Sequence, residues 1–390
     1  MVLETLLLLL PVAAFSGWLA GRRNCAGKAE RGCADIPADY LKGMNYLLNE
    51  QPDKAIDTFI QMLDVDSNTV ETHLALGALF RRRGEVDRAI RIHQNLIARP
   101  TLKKEERTQA LFELGQDYMR AGLLDRAETL LSELAERDTR HHSALKLLLD
   151  IYQQEKEWQN AIQVAKRYEG RTGEDLSVPI AEFYCELAEQ VRARGEPLRA
   201  LKLLKKALGE HRGCVRASLL EADIELAAGD ARAALRAAQR VEQQDPAFVS
   251  EALPLIKQSY QMLGRRNEFE RYLRRLLTAQ GGIAVVLELA TLIQESEGEE
   301  AAERFVTDYL KNTPSVFGIE RLIDLNLERV KDEVRDKLLI LKKVTADVLE
   351  NKPIYQCQHC GFNGRTLHWQ CPGCKHWNTV KPIQGLEGKK

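Results

Sequence analysis

The 390-residue chain is poor in aromatic residues, at 6%, and has no excess of one charge, with 56 Lys and Arg against 57 Asp and Glu. Nucleic-acid binding needs a cationic stripe, and this balance excludes one. Basic clusters such as Arg81, Arg82 and Arg83, or Arg265, Arg266, Arg271, Arg274 and Arg275, are interleaved with acids and read as solvated faces or local groove charge. Also missing are a glycine-rich phosphate loop, an H-E-x-x-H helix and a G-x-S-x-G elbow. Asp64, Asp66 and Asn68 imitate the start of a calcium loop, but Thr69 stands where that loop needs glycine and Ala75 where it needs glutamate. Glu299 and Glu300 lie on a helix surface with no sign of a closed cleft, and the adjacent His141 and His142 point to different faces at a helix start. The chain is therefore expected not to be an enzyme.

What is present is a repeat. Gly43 and Gly77 are 34 residues apart, as are Ala55 and Ala89, Ala127 and Ala161, and Ala200 and Ala234. This is the period of tetratricopeptide repeats, each a pair of antiparallel helices in which small residues let the partners approach. One pair cannot bury its own apolar face, so stacked pairs share a continuous core. Gly43, Tyr46, Ala55 and Phe59 in one unit, and Gly115, Tyr118, Ala127 and Leu131 in another, fit the small, aromatic, small, bulky order. Gly84, Gly122, Gly195, Gly229 and Gly264 punctuate the turns, each beside a charged residue able to cap the next helix, and Pro246 and Pro314 fall where units end. The units around Phe269 and Ala302 are less regular, and 318–349 reads as one more amphipathic pair. A charged fraction of 29% suits such an array. The expected fold is an all-α tetratricopeptide-repeat superhelix over 39–350, of about eight or nine helix pairs.

Residues 1–20, MVLETLLLLLPVAAFSGWLA, carry one charge and are followed by Gly21, Arg22 and Arg23. A helix from Val2 to Ala20 spans about 28 Å, close to the hydrocarbon thickness of a bilayer. A cleaved signal peptide is the rival, but its charge order is reversed here: Glu4 precedes the apolar run, while Arg22, Arg23, Lys28 and Arg31 follow it. The pattern predicts a transmembrane anchor with the rest of the chain, beginning with a juxtamembrane linker at 21–38, on the cytoplasmic side. In that compartment thiols stay reduced, so eight cysteines point to metal or inert burial. Cys185 and Cys214 read as small core residues inside helices, and Cys25 and Cys33 fall in the linker.

After Pro353 the helical pattern stops, and 351–390 reads as a small metal domain. Cys357, Cys360, Cys371 and Cys374 form two C-x-x-C pairs with ten residues between them. Four thiolates close a tetrahedral shell and leave no position for substrate, which points to a structural site. Zinc and iron both fit four sulfurs, and iron keeps a redox carrier open as an alternative. His359, His368 and His376 are substitute ligands only if a cysteine is displaced. Gly361 and the Pro372, Gly373 pair supply backbone freedom to the knuckles. Tyr355, Phe362, Trp369 and Trp377 are expected to form an aromatic core there, or a seam against the last repeat helices. The concave face of the array comes mainly from the first helix of each pair, which makes Arg82, Gln116, Arg120, Gln153 and Arg192 the candidate partner-binding residues.

The order of anchor, repeats and cysteine knuckles resembles the lipopolysaccharide assembly protein B family of Gram-negative bacteria. The resemblance runs along the whole chain and is strongest at LLPVAA followed by GRR, at RGEVDRAIRIHQ, at AEFYCELA, and at CGF with KPIQGL. It implies an adaptor of the bacterial inner membrane that helps a membrane-anchored AAA protease degrade the deacetylase committing precursors to lipid A, opposed by a transmembrane lipopolysaccharide sensor. A protease-independent scaffold for lipopolysaccharide enzymes shares every one of these features, and homo-oligomerisation is left open. By the same resemblance Cys357, Cys360, Cys371 and Cys374 are the ligands of a rubredoxin-like metal domain, and residues 1–20 meet the protease within the bilayer. The ten-residue gap is shorter than in true rubredoxins, which argues against electron transfer.

Overall fold

The structure, a computed structural model, describes residues 38–49, 51, 54–56, 58–59, 70–137, 142–279, 282–327, 329–330, 332–350, 352–383 and 385. The expected anchor at 1–20, and Cys25 and Cys33 in the linker, lie outside them. Among the described residues no helix is long and apolar enough to cross a membrane. The chain divides into two compact units, 1–137 and 138–390.

The first unit holds α1 (Ala38–Leu48), helical residues 54–56 and 58–59, α2 (Val70–Arg83), α3 (Val86–Ile97), α4 (Lys104–Arg120) and α5 (Leu124–Arg137). Its helices pack as sequential pairs, α2 with α3 and α4 with α5. The apolar stripe of α5 shows why: Ala127, Leu131, Leu134 and Ala135 recur at helical spacing and are all buried. The small residues of the repeat do steric work. A methyl group built on Gly43 would meet Phe59 at 2.6 Å, one on Gly77 would meet His93 at 2.4 Å, and one on Gly115 would meet Leu131 at 2.9 Å. Each glycine faces the bulky residue sixteen positions on, so the two helices of a pair touch through bare backbone. His93 fills the bulky place in the second pair because its Nδ1 lies 2.5 Å from the buried carboxylate of Asp117, which Arg81 also contacts at 2.8 Å.

The second unit contains α6 (His142–Glu155), α7 (Trp158–Thr172), α8 (Ser177–Ala193), α9 (Pro197–Glu210), α10 (Val215–Ala227), α11 (Ala231–Gln244), a 3-10 turn at Pro246–Phe248, α12 (Val249–Met262), α13 (Arg266–Ala279), α14 (Ile283–Glu297), α15 (Glu299–Asn312), α16 (Val316–Leu327) and α17 (Asp332–Glu350). In its first pair Leu149 and Ala165 take the positions of the glycine and the bulky residue with sizes exchanged, and both are buried. Phe269 and Ala302 keep their buried places in α13 and α15, so the less regular units retain the packing scheme. The stretch 318–349 does form a pair, α16 against α17.

All five expected turn glycines have positive φ, from 65° at Gly264 to 85° at Gly229. The turn between α6 and α7 lacks one, and Lys156 adopts φ 59° instead. Of the expected side-chain caps, Asp230 accepts from the Ala233 amide at 2.9 Å, whereas Glu85 and Glu196, like Glu157 before α7, sit at helix starts without such a bond. A glutamate side chain is one methylene too long for the tight N-cap geometry that Asp satisfies. Cys214 is likewise not inside a helix but just ahead of α10.

The glycine contacts predict a sign reversal. Gly77→Ala should lower the urea midpoint of helix loss, because overpacking against a fully buried, tethered His93 costs about 1–3 kcal/mol and outweighs the roughly 1 kcal/mol gain in helix propensity. Gly209→Ala in α9, where an added methyl meets nothing within 4 Å, should raise that midpoint, reporting a gain of about 0.5–1 kcal/mol in stability.

Candidate metal centre

Beyond α17 the chain forms a three-stranded antiparallel sheet of β1 (Tyr355–Cys357), β2 (Asn363–Gly364) and β3 (Val380–Pro382), in the order β2-β1-β3. The strands are too short to hold themselves. They serve to bring two knuckles together.

In the first knuckle the Gly361 amide returns to the Cys357 carbonyl at 3.0 Å, and Gly361 has φ 76°. In the second, the Lys375 amide returns to the Cys371 carbonyl at 2.9 Å, and Lys375, at the equivalent place, has φ 61°. The backbone freedom expected of Gly373 is thus supplied by Lys375, for Gly373 is not among the residues with positive φ.

The knuckles bring the four sulfurs of Cys357, Cys360, Cys371 and Cys374 within 4.8 Å of one another. Cys357 Sγ lies 3.8 Å from Cys374 Sγ, and Cys360 Sγ lies 3.6 Å from Cys371 Sγ. A tetrahedron with arms of about 2.3 Å has edges of about 3.8 Å, so the donor set fits a single four-coordinate ion. Cys357 and Cys371 are buried, while Cys360 is exposed. Burial works against a Cys357 thiolate, but the Thr379 hydroxyl, 3.3 Å away, and the amides of Cys360 and His359 prevail and hold its pKa down at about 5. The His376 amide favours the Cys374 thiolate, yet burial and three neighbouring sulfurs push that group up to about 12. Four thiols this close cannot all ionise unless a cation is among them.

Two tryptophans tie this ribbon to the repeats of its own unit. Trp377 stands edge-on to Trp158 of α7 at 6.0 Å and to Phe183 of α8 at 5.7 Å, and its Nε1 donates to Gln153 Oε1 of α6 at 2.9 Å. Trp369 stacks on Phe248 at 5.5 Å, and the Arg216 guanidinium lies against its ring, 5.9 Å from the centroid. Tyr355 donates to Glu251 at 2.9 Å, and Lys381 pairs with Asp245 at 2.8 Å. The two indoles therefore meet the array between α6 and the turn before α12, through Gln153, Trp158, Phe183 and Phe248, rather than the last helices where the seam was expected.

Arg216 anchors the seam from below. It reaches Glu182 at 3.2 Å, Glu186 at 2.8 Å and also Glu189. Burial opposes its charge, but the three carboxylates push its pKa up. Burial also dominates at Glu182, whose pKa stands at about 7 in spite of Arg216. Cys185 and Cys214, 3.7 Å apart beside this cluster, are buried, and burial pushes the Cys185 thiol well up, as befits inert core residues.

Of the five partner-binding candidates, Gln153 is engaged by the ribbon, and Arg192 pairs with Asp223 at 2.6 Å. Arg82 and Arg120 are exposed and Gln116 half-buried on α2 and α4. The residues that seat the ribbon, Trp158, Phe183, Glu182, Arg216 and Phe248, were not among the candidates. One signal was available: Glu182 is an acid on the buried face of α8, between Ala181 and Phe183.

Comparison with known proteins fits this geometry. A family model described as a rubredoxin metal binding domain matches residues 355–382. Tetratricopeptide repeat models match 72–108, 112–175 and 185–247. Lipopolysaccharide assembly protein B of Escherichia coli strain K12 is 42% identical over 388 residues, covering 99% of this chain and 100% of its own length. The protein of that name from Haemophilus influenzae is 34% identical over 398 residues, with coverage of 99% and 100%. On full-length similarity of this degree, the chain belongs to the lipopolysaccharide assembly protein B family.

Proposed function

We propose that the chain is a non-enzymatic adaptor in lipopolysaccharide assembly, held at the cytoplasmic face of the bacterial inner membrane by residues 1–20. In this reading it presents the deacetylase that commits precursors to lipid A to a membrane-anchored AAA protease, and a transmembrane lipopolysaccharide sensor opposes it. The observation that carries the proposal is the full-length match to relatives named for lipopolysaccharide assembly. The closed four-sulfur site supports it, since such a site lacks an open coordination position and suits a structural zinc ion. Tethering beside the protease turns capture into a local event at an effective concentration on the order of millimolar, so weak contacts through Arg82, Gln116 and Arg120 suffice.

The test compares the full chain with one lacking residues 1–20 in cells, following deacetylase lifetime and co-purification from native membranes. The full chain should bring down the protease and keep the deacetylase short-lived, and the truncated chain should do neither. Equal deacetylase turnover with both chains overturns the proposal. Crosslinks from Leu10 to biosynthetic enzymes without the protease would favour the scaffold instead.

A further inference from the structure

We propose that His359 and His376, with the Cys374 thiolate, form a second, outer site for a divalent zinc-like metal ion, in which Cys374 bridges the outer ion to the one held by the four cysteines. The proposal rests on that inner ion being present, and three observations carry it further.

The first is geometry. The two imidazoles stack at 3.9 Å between centroids with 22° between planes, and ligand atoms of His359, Cys374 and His376 all lie within 4.8 Å of one another. Zinc–nitrogen bonds of about 2.0–2.1 Å and a zinc–sulfur bond of about 2.3 Å require the stacked rings to turn out of their stack, so that each ring plane points at the ion, which their exposure allows, with water as fourth ligand.

The second is the tautomer. His376 Nδ1 lies 3.0 Å from the Cys374 carbonyl oxygen. A carbonyl can only accept, so Nδ1 is the donor, and Nε2 is the nitrogen this contact leaves for a metal, which is how backbone carbonyls orient metal-binding histidines elsewhere.

The third is charge. Four thiolates around one dication leave a net charge of −2, and Cys374 and the two histidines lie at the side of the cluster that water reaches. A second dication there is attracted rather than repelled, and a thiolate sulfur has lone pairs left for it. His368 takes no part, since its Nε2 is 3.0 Å from Thr366 Oγ1.

The experiment loads the purified full chain with one equivalent of zinc, dialyses it against rising zinc concentrations, and counts bound metal by mass spectrometry. The wild-type chain should rise from one ion to two. A His359→Ala, His376→Ala double variant should stay at one, with unchanged tryptophan emission reporting an intact ribbon. A wild-type chain that stops at one ion overturns the proposal, as does a second ion that survives the double substitution. Loss of the first ion from the variant overturns it too, since the histidines would then serve the inner site.

Discussion

Cys371→Ser with Cys374→Ser should abolish metal binding, unfold residues 353–383 and expose Trp369 and Trp377 to water, while the helices of both units persist. The ribbon's own core is Tyr355, Cys357, Cys371 and Val380 with a few partly buried neighbours. Two docked tryptophans bury about 200 Å² each, worth roughly 10 kcal/mol together at 25 cal/mol per Å². A structural metal supplies an apparent 10–16 kcal/mol, about as much as the whole indole seam. Without it the ribbon has no means of holding its knuckles, and the seam cannot form on a disordered partner. The expected signature is a metal content near zero, a red shift in tryptophan emission, and nearly unchanged helical circular dichroism, because the ribbon contributes strands and turns only. A strong chelator should give the same result reversibly. Emission that stays blue in the double variant would mean that the repeats alone hold the ribbon, and the structural role of the metal would be lost.

The fold was largely legible because its packing rule is local. A glycine or alanine sixteen residues before a bulky side chain states a helix-to-helix contact within one repeat, and stacking follows from the same pattern at 34-residue spacing. The four ligands were legible because spacing alone brings two C-x-x-C pairs to one point. The seam was not, since it joins Trp377 to Gln153 across 224 positions, and no periodicity relates them. Lys156 and Lys375 escaped notice for a different reason: a lysine can enter the left-handed region when flanking hydrogen bonds determine the turn, so the absence of glycine did not mark the absence of a turn. Gln153 was expected to face a partner in the groove, but in this chain the ribbon is what binds it.

Arg216→Met should destabilise the second unit by about 3–5 kcal/mol at pH 8, because it leaves the buried Glu182 carboxylate without its counter-charge. The Glu182 side chain is only 2% exposed, so neither water nor salt can take the place of the guanidinium. The cost should shrink toward pH 5, and the sign follows from linkage. In the wild-type chain burial, only partly offset by Arg216, raises the Glu182 pKa from 4.5 to about 7. The folded state therefore retains a proton that the unfolded state has released, and this group's contribution is full below about pH 4.5 and fades as pH rises to about 7. At 1.36 kcal/mol per unit the loss is about 3 kcal/mol over that window. Comparing wild type with Glu182→Gln isolates it: the amide variant should gain on the wild type by about that amount between pH 4.5 and pH 7, and the gap should be constant above. In Arg216→Met the favourable charge is gone, so the window extends to higher pH. The Arg216→Met, Glu182→Met double variant should recover most of the loss, which separates the unpaired charge from any disturbance of Trp369 above it. Urea midpoints at pH 5 and pH 8 decide the matter, and an Arg216→Met penalty that is the same at both would show that Glu182 does not titrate in this range.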